Sequence, residues 1–172
     1  MTALEPDEDV EAAVVAHLER AGVPYEVLPC DPDLADTAAF CEAYGVAPED
    51  SANTILVVGR RTGEPDVHVA CVVLATTRLD VNHTVRRRLG VRKASFAGPE
   101  ATVAVTGMRI GGVTPFGLPR GIPLWVDGLV LSRPSVIIGG GSRRMKVRTP
   151  PSSLLAVDGA EAVDGLAVPV AP

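Results

Sequence analysis

Thr106-Gly107-Met108-Arg109-Ile110-Gly111-Gly112-Val113-Thr114-Pro115-Phe116-Gly117-Leu118 is the stretch on which the reading of this chain turns. Gly111 and Gly112 can adopt positive φ and let another molecule approach the main chain closely. Pro115 fixes the exit from the loop. Such a run can turn several N–H groups to one side, a nest suited to a carbonyl or a developing oxyanion. The same residues also suit a tight turn at a sheet edge, and taken alone they leave both readings open.

On either side of this loop the pattern alternates between helix and strand. Upstream, Asp7 is a candidate cap for a helix to about Ala21, with Val10, Ala13, Val14, Leu18 and Ala21 on one face and Gly22 as the stop. Tyr25, Val27 and Pro29 suggest a short strand. Asp36 and Thr37 can cap a second helix with Ala39, Phe40, Ala43 and Tyr44 inward, ended by Gly45. Ile55 to Val58 and Val67 to Leu74 read as a β-hairpin. Asp80 opens a third helical stretch with Val81, Val85 and Leu89 inward and Gly90 as its end. Ala101 to Val105 leads into the glycine loop. Beyond the loop, Leu124 to Leu131 and Ser135 to Ile138 read as strands, and Met145 to Arg148 can pair with the latter across Gly139-Gly140-Gly141. Ala156 to Pro172 is expected to add a terminal strand and a frayed end. The order predicts an α/β (α+β) fold on a mixed sheet, in one domain over 1–172 with its core at about 8–160.

Composition narrows the function classes. Of the 172 residues 47% are hydrophobic and only 3% aromatic, which argues for a packed core and against disorder. No run approaches a membrane span, and the acidic start through Glu5, Asp7, Glu8 and Asp9 is no secretory signal, so a cytoplasmic protein is expected. Cys30, Cys41 and Cys71 are too scattered for a metal knuckle and are expected to be buried small hydrophobes. A net charge of −5 disfavours broad nucleic-acid binding, yet the cations cluster at Arg86–Lys93 and Arg143–Arg148, which leaves room for contact with one end of an RNA.

The loop and its neighbours resemble the YbaK/prolyl-tRNA-synthetase-associated domain family. Gly111 to Pro115 fits the family's GxxxP motif and Phe116-Gly117 continues it. Thr76-Thr77-Arg78-Leu79-Asp80, Ala97-Gly98-Pro99-Glu100, Trp125-Val126-Asp127 and Val136 to Ser142 resemble family segments in the same order. The resemblance implies a mixed sheet or barrel with surrounding helices. It also implies a pocket for the aminoacyl-adenosine end of tRNA and hydrolysis of a mischarged aminoacyl ester, in trans or as an insertion within prolyl-tRNA synthetase. The expected partner is therefore the tRNA acceptor end, with association with an aminoacyl-tRNA synthetase and a homodimer left open, and with no membrane, metal or organic cofactor. Gly111, Gly112, Pro115 and Asn53 are the expected catalytic positions. Thr54, Arg78, Thr114, Phe116, Gly117, Asp127, Gly140 and Lys146 are the expected substrate contacts.

One position departs from the family pattern. Most active members carry a lysine just before the strand that follows the second helix, and by register that position is Asn53. A charge pair at about 4 Å and an effective dielectric of about 20 is worth about 4 kcal/mol before desolvation, which an amide cannot supply. Three outcomes are open: a different substrate, a substitute cation such as Arg78, Arg109 or Lys146, or a non-catalytic domain that binds tRNA ends or an aminoacyl ligand. His17, His68 and His83 form no ligand spacing, and no GxSxG elbow or Walker loop is present.

Overall fold

Pro6 occupies the cap of the first helix, so α1 (Asp7–Ala21) takes Asp7 as its first residue rather than its cap. Asp7, Glu8 and Asp9 then fill the first turn, where their charge complements the helix dipole. Gly22 ends α1 in the left-handed region at φ 66°. The structure is a computed structural model and describes residues 6–170. The chain continues through β1 (Glu26–Pro29), α2 (Thr37–Tyr44), β2 (Ala52–Arg60), β3 (Val67–Leu74), β4 (Thr77–Leu79), α3 (Arg86–Leu89), β5 (Lys93–Phe96), α4 (Pro99–Thr106), β6 (Leu124–Asp127), α5 (Gly128–Leu131), β7 (Val136–Gly139), β8 (Met145–Thr149), β9 (Ala160–Val163) and β10 (Ala167–Pro169).

The expected mixed sheet is present, with five strands in the order β5-β2-β3-β6-β9. The β2–β3 hairpin is antiparallel from Ala52↔Leu74 to Gly59↔Val67, whereas β6 joins β3 and β9 in parallel. A second, antiparallel sheet runs β1-β8-β7, with β7 and β8 paired across the triple glycine as the sequence suggests. The strand alternation sorts the core. Ala52, Ala70, Val72 and Leu124 face a cluster shared with Val14 and Leu18 of α1 and with Ile138 and Val147 of the second sheet. Val57, Val69, Cys71 and Trp125 face the other way, onto Val81, Val85 and Leu166. A smaller cluster of Cys30, Ala35, Phe40 and Ile137 lies beneath α2. All three cysteines are buried and unpaired, and burial pushes the Cys71 thiol up to about 12.

Several local expectations are corrected. Only Phe40 and Cys41 of α2 are buried; Ala43 and Tyr44 face solvent, because Ile137 rises under just one side of the helix. Pro99 starts a helix, α4, where only a lead-in to the loop was expected, and Gly107 stops it at φ 72°. Leu124 to Leu131 is not one strand: it turns helical at Gly128, where the backbone runs so close to Asp164 that a Cβ would collide with that side chain. The C-terminal segment holds two short strands rather than one, and residues 171–172 of the expected frayed end lie outside the described residues.

α1 is fastened to the Gly139–Ser142 turn by charge. Glu11 accepts hydrogen bonds from Ser142 Oγ at 2.6 Å and from Arg144 Nε and Nη2 at 2.9 Å each. Hydrogen bonding from Arg144 holds the Glu11 carboxyl below the usual carboxylate range, against the opposing effect of burial. A lowered folded value means stabilisation that is present above the unfolded value of 4.5 and lost as pH falls through the folded one. Glu11→Gln is therefore expected to lower the melting temperature at pH 7, and its difference from wild type is expected to shrink as pH falls below 4.5 and through the folded value, as followed by circular dichroism. Charge-assisted hydrogen bonds of this kind are worth about 1.5–3 kcal/mol.

Candidate functional site

Strand β2 is paired with β3 along its length, but on its other side β5 covers only Val57 to Arg60. Antiparallel pairing alternates the direction of successive backbone groups. The bond from Ala75 N–H to Ser51 O sets the phase, so Ala52, Thr54 and Leu56 point away from β3. The Leu56 carbonyl accepts from Ala97 N–H, whereas the N–H and C=O of Thr54 face a gap. That gap opens because the Ser51↔Ile137 bridge between the ends of β2 and β7 is isolated, and the two strands form no ladder beyond it among the described residues. A cavity of about 300 Å³ fills it, lined by Thr37 and Phe40 of α2, Ser51 to Leu56, Ile110, Gly111 and Val113 of the glycine loop and Ile137 to Gly139, with Phe96 and Lys146.

The glycine loop is held from behind, carbonyl by carbonyl. Ile110 O accepts from Arg143 Nη1 at 2.9 Å, Gly111 O from Lys146 Nζ at 2.7 Å and Gly112 O from Gly141 N–H at 2.6 Å. A trans peptide directs its N–H opposite its C=O, so each clamped carbonyl also aims the next amide. The Gly112 amide is used within the loop, donating to Arg109 O at 2.8 Å. Among the described residues the amides of Gly111 and Val113 have no acceptor, and both residues line the cavity. The donors of the expected nest are thus at 111 and 113. Only Gly111 of the glycine pair has positive φ, at 89°. Gly112 is needed for another reason: a Cβ there would collide with the Ser142 carbonyl.

Among the described residues Lys146 is the one charged side chain lining the cavity. It is 6% exposed, donates to Ala35 O and Gly111 O at 2.7 Å each and lies 5.5 Å from the centre of the Phe40 ring. An ammonium has three hydrogens, so one remains for a ligand. Desolvation lowers the Lys146 pKa, only partly opposed by Cys30 and Asp36. Asn53 stands at the rim with its Oδ1 accepting from Thr37 Oγ1 at 2.6 Å, which leaves its NH₂ group to donate. The Thr54 hydroxyl is buried at the same wall with no partner.

The structure thus brings Gly111, Asn53, Thr54 and Lys146 together around one cavity. Gly112 and Gly140 lie behind it in the packing between the loop and the triple-glycine turn. Pro115 and Phe116 are buried away from it, and Phe116 meets the His17 ring edge-on at 5.9 Å. Gly117 donates its N–H to His17 Nδ1 at 2.7 Å and borders a different groove. Thr114 is fully buried with an unpartnered hydroxyl. Arg78 is exposed on β4, opposite Val168. Asp127 is 1% exposed at the β6–α5 junction, outside the cavity. Burial raises its pKa, while the nearby amides of Ala167, Leu166, Gly128 and Leu129 pull the other way without reaching hydrogen-bond geometry. Thr37, Ser51, Phe96, Ile110, Val113 and Gly139 are lining residues that sequence reasoning missed. Ile110 and Val113, in the glycine loop, and Gly139, in the triple glycine, sat in stretches the sequence singled out; Thr37, Ser51 and Phe96 carried no site signal.

The mixed α/β domain turns main-chain donors and the buried Lys146 toward one small cleft. Residues 31–157 match the aminoacyl-tRNA editing domain family. The chain belongs to that family. It is 22% identical over 142 residues to EbsC of Enterococcus faecalis (strain ATCC 700802 / V583), a proposed Cys-tRNA(Pro)/Cys-tRNA(Cys) deacylase, over 81% of this chain and 84% of that one. A crystal structure of a proposed trans-editing enzyme for prolyl-tRNA synthetase superposes with TM-score 0.76 and 28% identity, over 94% of this chain and 98% of that one. The hypothetical protein APE2540 superposes with TM-score 0.80 and 25% identity, over 91% and 99%.

Proposed function

We propose that the chain hydrolyses the ester of mischarged aminoacyl-tRNA, as a freestanding editing enzyme. The observation that carries this reading is the convergence of the Gly111 and Val113 amides with Lys146 on one cavity. In the reaction water attacks the ester carbonyl and the acyl–oxygen bond to the ribose breaks. The oxygen that gains charge in the tetrahedral intermediate is placed to accept from the loop amides, the arrangement that usually supplies the largest single share of acyl-transfer catalysis. The departing ribose oxygen takes a proton. Lys146, held over Phe40 with one hydrogen free, supplies positive charge where the family's usual lysine would act from the position of Asn53.

The lining also describes the acyl group. A cavity of about 300 Å³ whose only charge among the described residues is Lys146, with walls that include Phe40, Ile55, Leu56, Ile110 and Ile137, suits a small, uncharged side chain. The test is a screen of tRNAs charged with Ala, Ser, Cys and Pro, with release of the free amino acid as readout. Turnover of at least one well above the spontaneous rate is expected. If tRNA ends bind without hydrolysis and Asn53→Lys creates activity, the chain is instead a non-catalytic binder.

A further inference from the structure

Beside the cavity, β5 connects two features that the editing chemistry does not use. At its far end the cations are dense: residues 86–93 contain Arg86, Arg87, Arg88, Arg92 and Lys93 and no acid. Two of these are occupied, Arg86 by the Asn82 carbonyl and Arg88 by Glu161 and the Trp125 ring. The side chains of Arg87, Arg92 and Lys93 are exposed and make no hydrogen bond or ion pair among the described residues. The nearest acids in the β2–β3 turn are already engaged, Glu64 by Arg61 and Asp66 by Arg60. In a chain of net charge −5, this corner is a local surplus of unneutralised positive charge. At its near end β5 finishes at Phe96, which is 54% exposed and lines the cavity. Lys93 and Phe96 are three residue steps apart on this edge strand, about 10 Å, and their side chains leave its opposite faces.

We propose that this strip is the track for the RNA strand that delivers the ester: Phe96 stacks a base at the cavity mouth, and Arg87, Arg92 and Lys93 contact the phosphates behind it. This rests on the deacylase reading above and adds where the RNA lies. An exposed aromatic beside a row of free cations is how proteins bind single strands without reading their sequence. Arg88 and Arg86 are tied back to the protein, so the contact belongs to the three free cations rather than to the whole cluster.

The experiment compares two substrates that share one ester, the aminoacyl-tRNA and the aminoacyl-adenosine. The triple variant Arg87→Glu, Arg92→Glu, Lys93→Glu is expected to raise KM for the tRNA at least tenfold with kcat little changed. It should also flatten the dependence of log KM on log salt by about 2, at about 0.7 per phosphate contact. Hydrolysis of the aminoacyl-adenosine should change less than twofold. Phe96→Ala is expected to cost about 5- to 150-fold in tRNA affinity, with Phe96→Trp restoring it. Arg20→Glu with Arg120→Glu, two cations bordering the other groove, should leave both substrates unaffected. Equal effects of the triple variant on both substrates, or none on the tRNA, would overturn the track. If the wild type hydrolyses neither substrate, the deacylase reading fails, and the track is decided separately by fluorescence anisotropy with an uncharged acceptor-stem hairpin. Tenfold weaker binding by the triple variant supports it there, and unchanged binding refutes it.

Discussion

Lys146→Met is expected to lower kcat for aminoacyl-ester hydrolysis by about 10²- to 10³-fold, the usual effect of removing one preorganised donor from an acyl-transfer site. Methionine fills nearly the same volume, so the apolar floor against Phe40 survives and circular dichroism should show a folded protein. What is lost is the charge and the clamp on the Gly111 carbonyl, and with the clamp the aim of the loop. Lys146→Arg is not expected to rescue activity, because a planar fork cannot replace a compact ammonium between the carbonyls of Ala35 and Gly111. The pH profile gives a second readout. Burial lowers the Lys146 pKa, so activity that needs the ammonium should fall on the alkaline side below the ordinary lysine value of 10.5. The sign for stability is opposite. A lysine whose folded value is depressed opposes folding while it is charged, and that cost is relieved as pH rises from the folded value to the unfolded one.

Gly112→Ala is expected to be nearly as damaging by a different route. The added Cβ meets the backbone carbonyl of Ser142, which cannot swing aside as a side chain can. Either the loop or the triple-glycine turn must move, and displacements near 1 Å at a reacting centre can cost about 10²-fold in rate. Overpacking of this kind also costs about 1–3 kcal/mol of stability, visible in the melting temperature. Gly121→Ala is the control. Gly121 shares the φ of 89° found at Gly111 but has open space around it, so its substitution should cost stability through strain alone and leave turnover intact.

Much of the fold was legible because it rests on local rules. Gly22, Gly45 and Gly90 stop helices in the left-handed region where their positions in the sequence say they should. The β-branched runs pair as a hairpin, and the triple glycine turns β7 into β8. The failures have a common origin in contacts that no local pattern encodes. Tyr44 looked like core by spacing, yet Ile137 reaches only the Phe40 side of α2. Leu129 looked like strand, yet Asp164 and the close approach at Gly128 turn the chain. In the site, Gly111 and Asn53 could be named from the motif and its register. The cavity's other walls could not, because the lack of a β2–β7 ladder beyond Ser51↔Ile137 among the described residues is a property of two strands 86 residues apart in sequence. Phe116, Gly117 and Asp127 sit in segments that resemble the family, but they hold the core and the loop ends in place rather than lining the cleft.

The family signature starts at residue 31, after both α1 and β1. A chain trimmed to that signature would keep every cavity-lining residue and still be a poor protein. It would leave Phe116 stripped of the His17 ring, the Ser142 turn without Glu11 and the outer edge of β8 bare to any passing strand. The limits by which such a domain is recognised are narrower than the limits within which it can fold.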